Sequence, residues 1–196
     1  MLQNALKEWA IAVDALIAGQ TVLLLRKGGI REIGKHFQVP HQHVWLYPTY
    51  EHQKPHLLKP KWARQVTPVK TGWHPPHSTI QAWADVAHVW TVRNQQAVES
   101  LLPFHIWNEQ FVTERFRWKP NQPLNLLLLR VHQLTTPVHI DWHPNYGGCR
   151  SWLALENPLD TQPSTPVLND LEWITTVETI HSHINSIEPV GPLARQ

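Results

Sequence analysis

The spacing of the short apolar segments constrains this chain more than any other feature. Strand-forming residues cluster at 21–26, 36–47, 82–93 and 124–134, with a shorter group at 137–140. The segments between them are short helical stretches or proline-rich loops of unequal length, unlike the regular helices of repeated βαβ units. This pattern predicts an α+β fold, with a curled, partly closed mixed β-sheet flanked by helices.

The helices predicted around these strands are few. Apolar residues recur at spacings of three and four from Leu2 to Ile17, which predicts an amphipathic helix over 2–18. Gly19 is a typical residue to end that helix. Three further helices are predicted, over 94–103, 105–115 and 170–186.

Length and composition predict a single domain over residues 1–196. The chain has 196 residues, of which 42% are hydrophobic, and this is enough for one core. We expect that core over about residues 2–186, with the last ten residues loose. The proline-rich segments 54–78 and 156–170 are predicted to be long surface loops.

The chain carries little charge. Charged residues make up 16% of the sequence, and the formal net charge is +2. This composition argues against disorder. It also argues against a protein that holds nucleic acid through a large excess of positive charge. Contact with nucleic acid would therefore have to be local.

The sequence is typical of a cytoplasmic protein. Cys149 is its one cysteine, so a disulfide framework cannot form and a reducing compartment is expected. The first residues lack the basic and apolar regions of a secretion signal. Apolar runs such as 126–129 are far shorter than a membrane span, so no membrane contact is predicted.

The turn Arg26-Lys27-Gly28-Gly29 is the first candidate binding site. It follows a buried strand and combines two cations with two glycines. Glycines let backbone N–H groups approach an anion, and Arg and Lys supply charge for a phosphate or carboxylate. The alternative is a plain hairpin turn with solvated charges. The segment does not have the pattern of a Walker loop.

The segment Tyr50-Glu51-His52-Gln53 is the second candidate. Adjacent Glu51 and His52 could serve as an acid and a base, whereas Tyr50 and Gln53 could stack on or read a nucleobase. The alternative is a polar loop after a strand. Metal-dependent nuclease chemistry would need Glu51 to meet a second carboxylate, and the candidates are Asp85 and Asp141.

Histidine pairs and the single cysteine are weaker candidates. No cysteine or carboxylate completes a zinc set beside any histidine pair, so neither a metal nor another cofactor is predicted. Cys149 lies in a glycine turn next to Arg150, where a thiolate could form and His139 or His143 could act as its base. A lone cysteine is more commonly a small buried hydrophobe. The histidine pairs are His41 and His43, His52 and His56, His139 and His143, and His181 and His183.

Four sequence blocks together resemble an uncharacterised bacterial family, the domain of unknown function numbered 1802. They lie at 6–10, 23–30, 47–53 and 146–152, and the similarity spans roughly residues 5–155. The family usually has a lysine where this chain has Arg150, so the charge is kept. The resemblance implies that these blocks form the site, which then includes Arg150, Ser151 and Trp152. It implies no activity.

A second resemblance is to PUA-like domains of the ASCH and EVE type. These domains begin with a helix, then a glycine and a strand that ends in arginine, as in the segment from Gly19 to Arg26. They later have a strand followed by a Pro-Val segment, as in 126–138. This chain lacks their lysine after the glycine and their acidic strand residue. The resemblance implies a small curled barrel that binds RNA or a nucleotide.

Three functions remain open on the sequence alone. The first is a PUA-like module that binds RNA, DNA or a nucleotide, with Arg26 and Lys27 on a phosphate, the 50–53 segment on a base and Trp152 stacked on it. The second is a nuclease that uses Glu51. The third is a structural protein whose Trp and Pro surface binds a protein partner. The sequence favours a binding protein over an enzyme.

Overall fold

The computed structural model describes residues 1–27, 31–33, 36–160 and 162–190. Nine strands are present in these ranges: β1 (Leu2–Trp9), β2 (Leu23–Arg26), β3 (Arg31–Ile33), β4 (His36–Gln38), β5 (His43–Thr49), β6 (His77–Val92), β7 (Leu124–Asp141), β8 (Trp152–Leu159) and β9 (Ser164–Pro166). The α-helices of the same ranges are α1 (Ala10–Ile17), α2 (Pro60–Ala63), α3 (Gln95–Glu99), α4 (Glu109–Arg117) and α5 (Asp170–Asn185). None of these helices, as far as the structure describes the chain, is long and apolar enough to cross a membrane.

The described strands form a mixed seven-stranded sheet and a separate ribbon. The sheet order is β2-β7-β6-β5-β1-β8, with β9 paired to another part of β7, and β3 and β4 form the ribbon. The predicted α+β fold with a mixed sheet flanked by helices is confirmed. Over the described ranges the sheet is not closed into a barrel. Because β1 and β5 are parallel, their C-terminal ends lie at the same end of the sheet.

Side chains on both faces of the sheet are buried. Leu6 and Leu46 point into the large core on the helical side, whereas Ala5, Trp45 and Tyr47 belong to a smaller core on the other side. This separation follows from the alternation of side chains along a strand. The central strands are therefore fixed from both sides, and the loops at their ends are held in place.

The prediction of one helix over 2–18 is wrong for its first half. Residues Leu2–Trp9 form β1, and α1 begins at Ala10. Leu6 is paired with Leu46 on one side and with Trp152 on the other. Two neighbouring strands thus supply hydrogen bonds to both edges of β1, and this tertiary pairing outweighs the helical spacing of its apolar residues.

The antiparallel pair of β6 and β7 is longer than the sequence predicts. β6 begins at His77, and β7 continues to Asp141 through Pro137, where two separate strands were expected. The pairing shifts between Ile80 and Ala82, so extra residues of β7 bulge out at that point. A bulge accommodates a proline because the residues in it do not need to donate to the ladder.

The two predicted loops contain more regular structure than expected. The 54–78 segment includes a 3₁₀ turn at 55–57 and helix α2, and it ends inside β6. The 156–170 segment holds the end of β8 and all of β9. The other predicted helices are present with shifted ends, as α3, α4 and α5.

Candidate functional site

Two adjoining clefts lie at the end of the sheet where β1 and β5 finish. The first cleft has a volume of about 350 Å³ and the second about 360 Å³. Their shared wall consists of Lys7, Thr49, Glu51, His52 and Gly148. Further residues of the first cleft are Glu8, Trp9, Leu25, Arg26, Lys27, Trp107, Phe111, Arg115, Trp118, Cys149, Arg150 and Ser151.

The first cleft brings together the segments that the sequence singled out. Arg26 and Lys27 come from the end of β2, Glu51 and His52 follow β5, and Cys149, Arg150 and Ser151 precede β8. Gly28 and Gly29 lie outside the described residues. Tyr50 lines the second cleft. Gln53 and Trp152 lie beside the clefts, and Trp152 pairs with Leu6 in the sheet.

Arg26 is engaged in an ion pair within the fold. Its guanidinium donates to Glu8 Oε2 at 2.8 Å and to the backbone oxygen of Lys7 at 2.7 Å. The two charged side chains are 11% and 13% exposed. Glu8 therefore balances the charge of Arg26. Arg26 contributes to the shape of the cleft wall more than it provides an unpaired cation for an anionic ligand.

Lys27 and Lys7 bind backbone oxygens. Lys27 Nζ donates to the carbonyls of Arg115 at 2.7 Å and Phe116 at 3.2 Å, at the C-terminal end of α4. A cation there satisfies free carbonyls and opposes the helix dipole. Lys7 Nζ likewise donates to Tyr146 and Gly148, at 2.7 Å each. Burial is the main cause that lowers the pKa of each amine.

Gln53 caps a helix. Its Oε1 accepts a hydrogen bond from the backbone N–H of Ile11 at 3.0 Å. Trp9, at the N-cap position of α1, has no side-chain acceptor to offer. The loop after β5 is thereby tied to the helix that follows β1, so Gln53 has a structural contact within the fold.

Replacing Gln53 with alanine is expected to lower the free energy of unfolding by about 1 kcal/mol, the usual cost of losing a helix N-terminal acceptor. Urea denaturation measures this change in the free energy of unfolding. Gln53→Glu is the matched control, because it retains an oxygen acceptor and should remain close to wild type. An equal loss in both variants would contradict the capping role.

Glu51 and His52 form the ridge between the clefts. Glu51 Oε1 accepts from the backbone N–H of Gly72, which fixes the carboxylate against the 71–75 loop. The nearest distance from Glu51 Oε1 to His52 Nε2 is 3.9 Å, too long for a hydrogen bond. His52 has a φ of 59°, a left-handed conformation that is uncommon for a non-glycine residue. This turn directs the exposed imidazole towards both clefts.

Arg115 is the principal site residue that sequence reasoning missed. It projects from α4 into the first cleft, with its guanidinium carbon 4.7 Å from the centre of the Phe111 ring and 6.0 Å from that of Trp118. Burial lowers the pKa of Arg115, and the nearby Glu8 partly offsets this. The sequence signal was weak. Phe111 and Arg115 are four residues apart, the spacing of neighbours on one helix face.

Cys149 and its proposed bases are not brought together. Cys149 is exposed in the wall of the first cleft. His139 hydrogen-bonds to Thr79 Oγ1 at 3.1 Å, and His143 Nδ1 accepts from the backbone of Asn145 at 3.2 Å. Neither histidine belongs to the described walls of the two clefts, and His52 is the histidine that lines the first cleft together with Cys149.

The carboxylates needed for a metal-dependent nuclease lie apart. Asp85 is within β6, where it pairs with His43, and Asp141 pairs with His77 at 2.7 Å. Glu51 lies in the cleft wall without either of them. Among the described residues, no group of three or more His, Cys, Asp or Glu side chains is placed to hold a metal ion.

Comparison with protein families identifies the family of this chain. The family described as Domain of unknown function (DUF1802) matches residues 5–179. The chain belongs to the DUF1802 family. The predicted resemblance is thereby confirmed, and the matched region contains every segment that lines the two clefts of this DUF1802 chain. No curated protein matches the sequence.

Solved structures similar to this DUF1802 chain include the protein ASCH from Zymomonas mobilis. That structure is 15% identical, has a TM-score of 0.44, and the alignment covers 89% of this chain and 93% of that chain. A mutant of the same protein is 13% identical with a TM-score of 0.45, and the alignment covers 91% of this chain and 98% of that chain. At this identity the similarity concerns the fold alone.

Proposed function

We propose that the first cleft binds the phosphate of a nucleotide or a nucleic acid. The observation that carries this proposal is Arg115, a cation held between aromatic rings in the cleft wall. Its side chain forms no hydrogen bond or close ion pair to any residue in the described part of the chain. A guanidinium without such partners can form a bidentate contact with a phosphate.

The charge of the cleft wall supports an anionic ligand. Five cationic side chains and two carboxylates line the described wall. Arg26 is paired with Glu8, and Lys7 and Lys27 each donate to two carbonyls, so these three side chains are held by the fold and contribute positive potential to the cleft. Arg115 and the exposed Arg150 remain as the groups that can contact a phosphate directly. This local charge is compatible with the small net charge of the chain, +2.

An open aromatic ring beside these cations supports a ligand with a base. Trp118 is 47% exposed and lines the first cleft. Lys119 Nζ lies 4.7 Å from the ring centre and Arg115 lies on the same ring. Aromatic faces next to phosphate-binding cations are the usual components of sites for single-stranded nucleic acid. Phosphate, carboxylate or sulfate alone would not need the exposed indole.

Fluorescence anisotropy with a labelled single-stranded DNA hexamer tests the proposal. Arg150→Gln is expected to weaken binding and to reduce the dependence of log K on log salt by about 0.7 for each phosphate that the variant no longer neutralises. Arg115→Gln should reduce the affinity and the salt dependence by similar amounts. A matched control is Arg64→Gln, which removes an exposed arginine from outside both described cleft walls and should leave affinity nearly unchanged.

Two results of the binding assay would contradict a phosphate-binding role for the first cleft. If the wild-type protein binds neither the hexamer nor a nucleoside monophosphate at low salt, the cleft does not have this function. Equal affinities and salt slopes for wild type, Arg115→Gln and Arg150→Gln would also place the phosphate elsewhere.

A further inference from the structure

We propose that the second cleft holds a base of a single-stranded nucleic acid whose adjacent phosphate lies in the first cleft. The ligand would then cross the ridge formed by Glu51 and His52. This inference rests on the proposed function of the first cleft and goes further, because it selects a strand of at least two nucleotides over a single nucleotide.

The second cleft has a different charge from the first. Lys7 and Glu51 are the formally charged residues of its described wall. Lys7 Nζ is occupied by the carbonyls of Tyr146 and Gly148, at 2.7 Å each, and these residues belong to the same wall. The one positive and the one negative charge of this described wall cancel, so this cleft attracts phosphate less than the first cleft does. It suits a neutral ring, preferably one with an N–H group that can donate to a carboxylate.

Several aromatic rings line the second cleft. Trp73 and Tyr50 are 44% and 38% exposed and meet edge to face, with ring centres 5.8 Å apart. On the other part of the wall, His74 is stacked on Trp142, with ring centres 3.5 Å apart and planes within 2°. These are flat faces at the mouth of a neutral cleft. Stacking on such faces is available to every base and gives binding with little sequence preference.

The two clefts adjoin each other, and each has its own exposed indole. They share the wall around Lys7, Glu51 and His52, while Trp118 lies in the first cleft and Trp73 in the second. One base can stack in the first cleft beside the phosphate-binding arginines. The second indole then receives the next base along the strand, which a mononucleotide does not possess.

Two probes and two tryptophan variants test this arrangement. Binding of a labelled single-stranded DNA hexamer and of a nucleoside monophosphate is measured for Trp73→Ala and Trp118→Ala. Trp73→Ala is expected to weaken hexamer binding about tenfold, the effect of losing one stacked base, and to leave the monophosphate unaffected. Trp118→Ala should weaken both probes. Trp73→Phe should recover most of the hexamer affinity.

Controls separate binding from stability. Leu171→Ala removes a side chain that is 75% exposed on α5, outside both described cleft walls, and should change neither affinity. If Trp73→Ala lowers the melting temperature, Tyr50→Ala replaces it, because Tyr50 is the partner ring in the same wall.

The other possible results of these binding assays contradict either the second base site or the proposed function of the first cleft. Unchanged hexamer affinity in Trp73→Ala and Tyr50→Ala, with weaker binding in Arg150→Gln, overturns the second base site and leaves the first cleft's function intact. Equal weakening of both probes by Trp73→Ala also overturns it, since one nucleotide would then occupy both clefts. A wild-type protein that binds neither probe overturns the proposed function as well.

Discussion

Replacing Glu8 with glutamine is expected to lower the free energy of unfolding by about 3–5 kcal/mol, because it leaves a nearly buried guanidinium without its counter-charge. Glu8 Oε2 lies 2.8 Å from the Arg26 guanidinium, and the pair is 11–13% exposed. Glu8 also offsets the charge of Arg115. Its loss would leave two cations facing each other in the cleft. Urea denaturation at neutral pH measures the change.

A double-mutant cycle identifies the cause of that loss. If the penalty comes from the uncompensated Arg26 charge, Arg26→Met added to Glu8→Gln should recover part of the stability that Glu8→Gln loses. Glu114→Gln is the matched control. Glu114 is exposed on α4 and accepts from Gln110 Nε2 at 3.0 Å, so its loss should cost less than about 0.5 kcal/mol. Strictly additive effects of the two substitutions would contradict the ion-pair explanation.

Arg26 illustrates what a sequence can indicate about a site. The cations and glycines after a strand made Arg26 and Lys27 candidates for a binding site, and both residues line the first cleft. Their chemical partners were not visible, because Glu8 is 18 residues away and the carbonyl of Arg115 is 88 residues away. A local pattern shows which charges are present, whereas tertiary contacts decide whether they are free to bind a ligand.

Arg115 and Trp73 show the opposite case. Neither lies in a distinctive motif, and both enter the site because α4 and the 71–75 loop are folded over the end of the sheet. The sequence did not predict the strand β1, and the reason is related. Its helical spacing is real, but hydrogen bonds to β5 and β8, which are distant in sequence, determine its conformation. The α+β class was predictable because it depends on the alternation of short apolar segments.

Lowering the pH below about 6.5 is expected to destabilise the protein through His105, by up to about 1.4 kcal/mol for each pH unit. The residue is 2% exposed. Burial, and secondarily the positive charge of Lys59, lowers the pKa of His105 to about 3, and the nearby backbone of Trp107 and Val98 offsets only part of this. Lys59 is fixed nearby, since its amine donates to the carbonyls of Leu102 and His105.

The direction of this effect follows from proton binding. The pKa of a histidine in an unfolded chain is about 6.5, so between that pH and about 3 the unfolded chain binds a proton that the folded chain does not. The stability contributed by neutral His105 is therefore complete above about pH 6.5 and declines as the pH falls. Burial also lowers the pKa of His88 and His132, which adds to the same trend.

His105→Phe isolates the contribution of this one residue. The phenyl ring is of similar size and cannot bind a proton, so the slope of unfolding free energy against pH, between about pH 4 and 6, should decrease by about 1.4 kcal/mol per unit. Exposed His56 provides the control, and His56→Phe should retain the wild-type slope. Urea denaturation at each pH gives the slopes. If His105→Phe and wild type have the same slope, acid sensitivity arises from other groups, and His105 is protonated without unfolding.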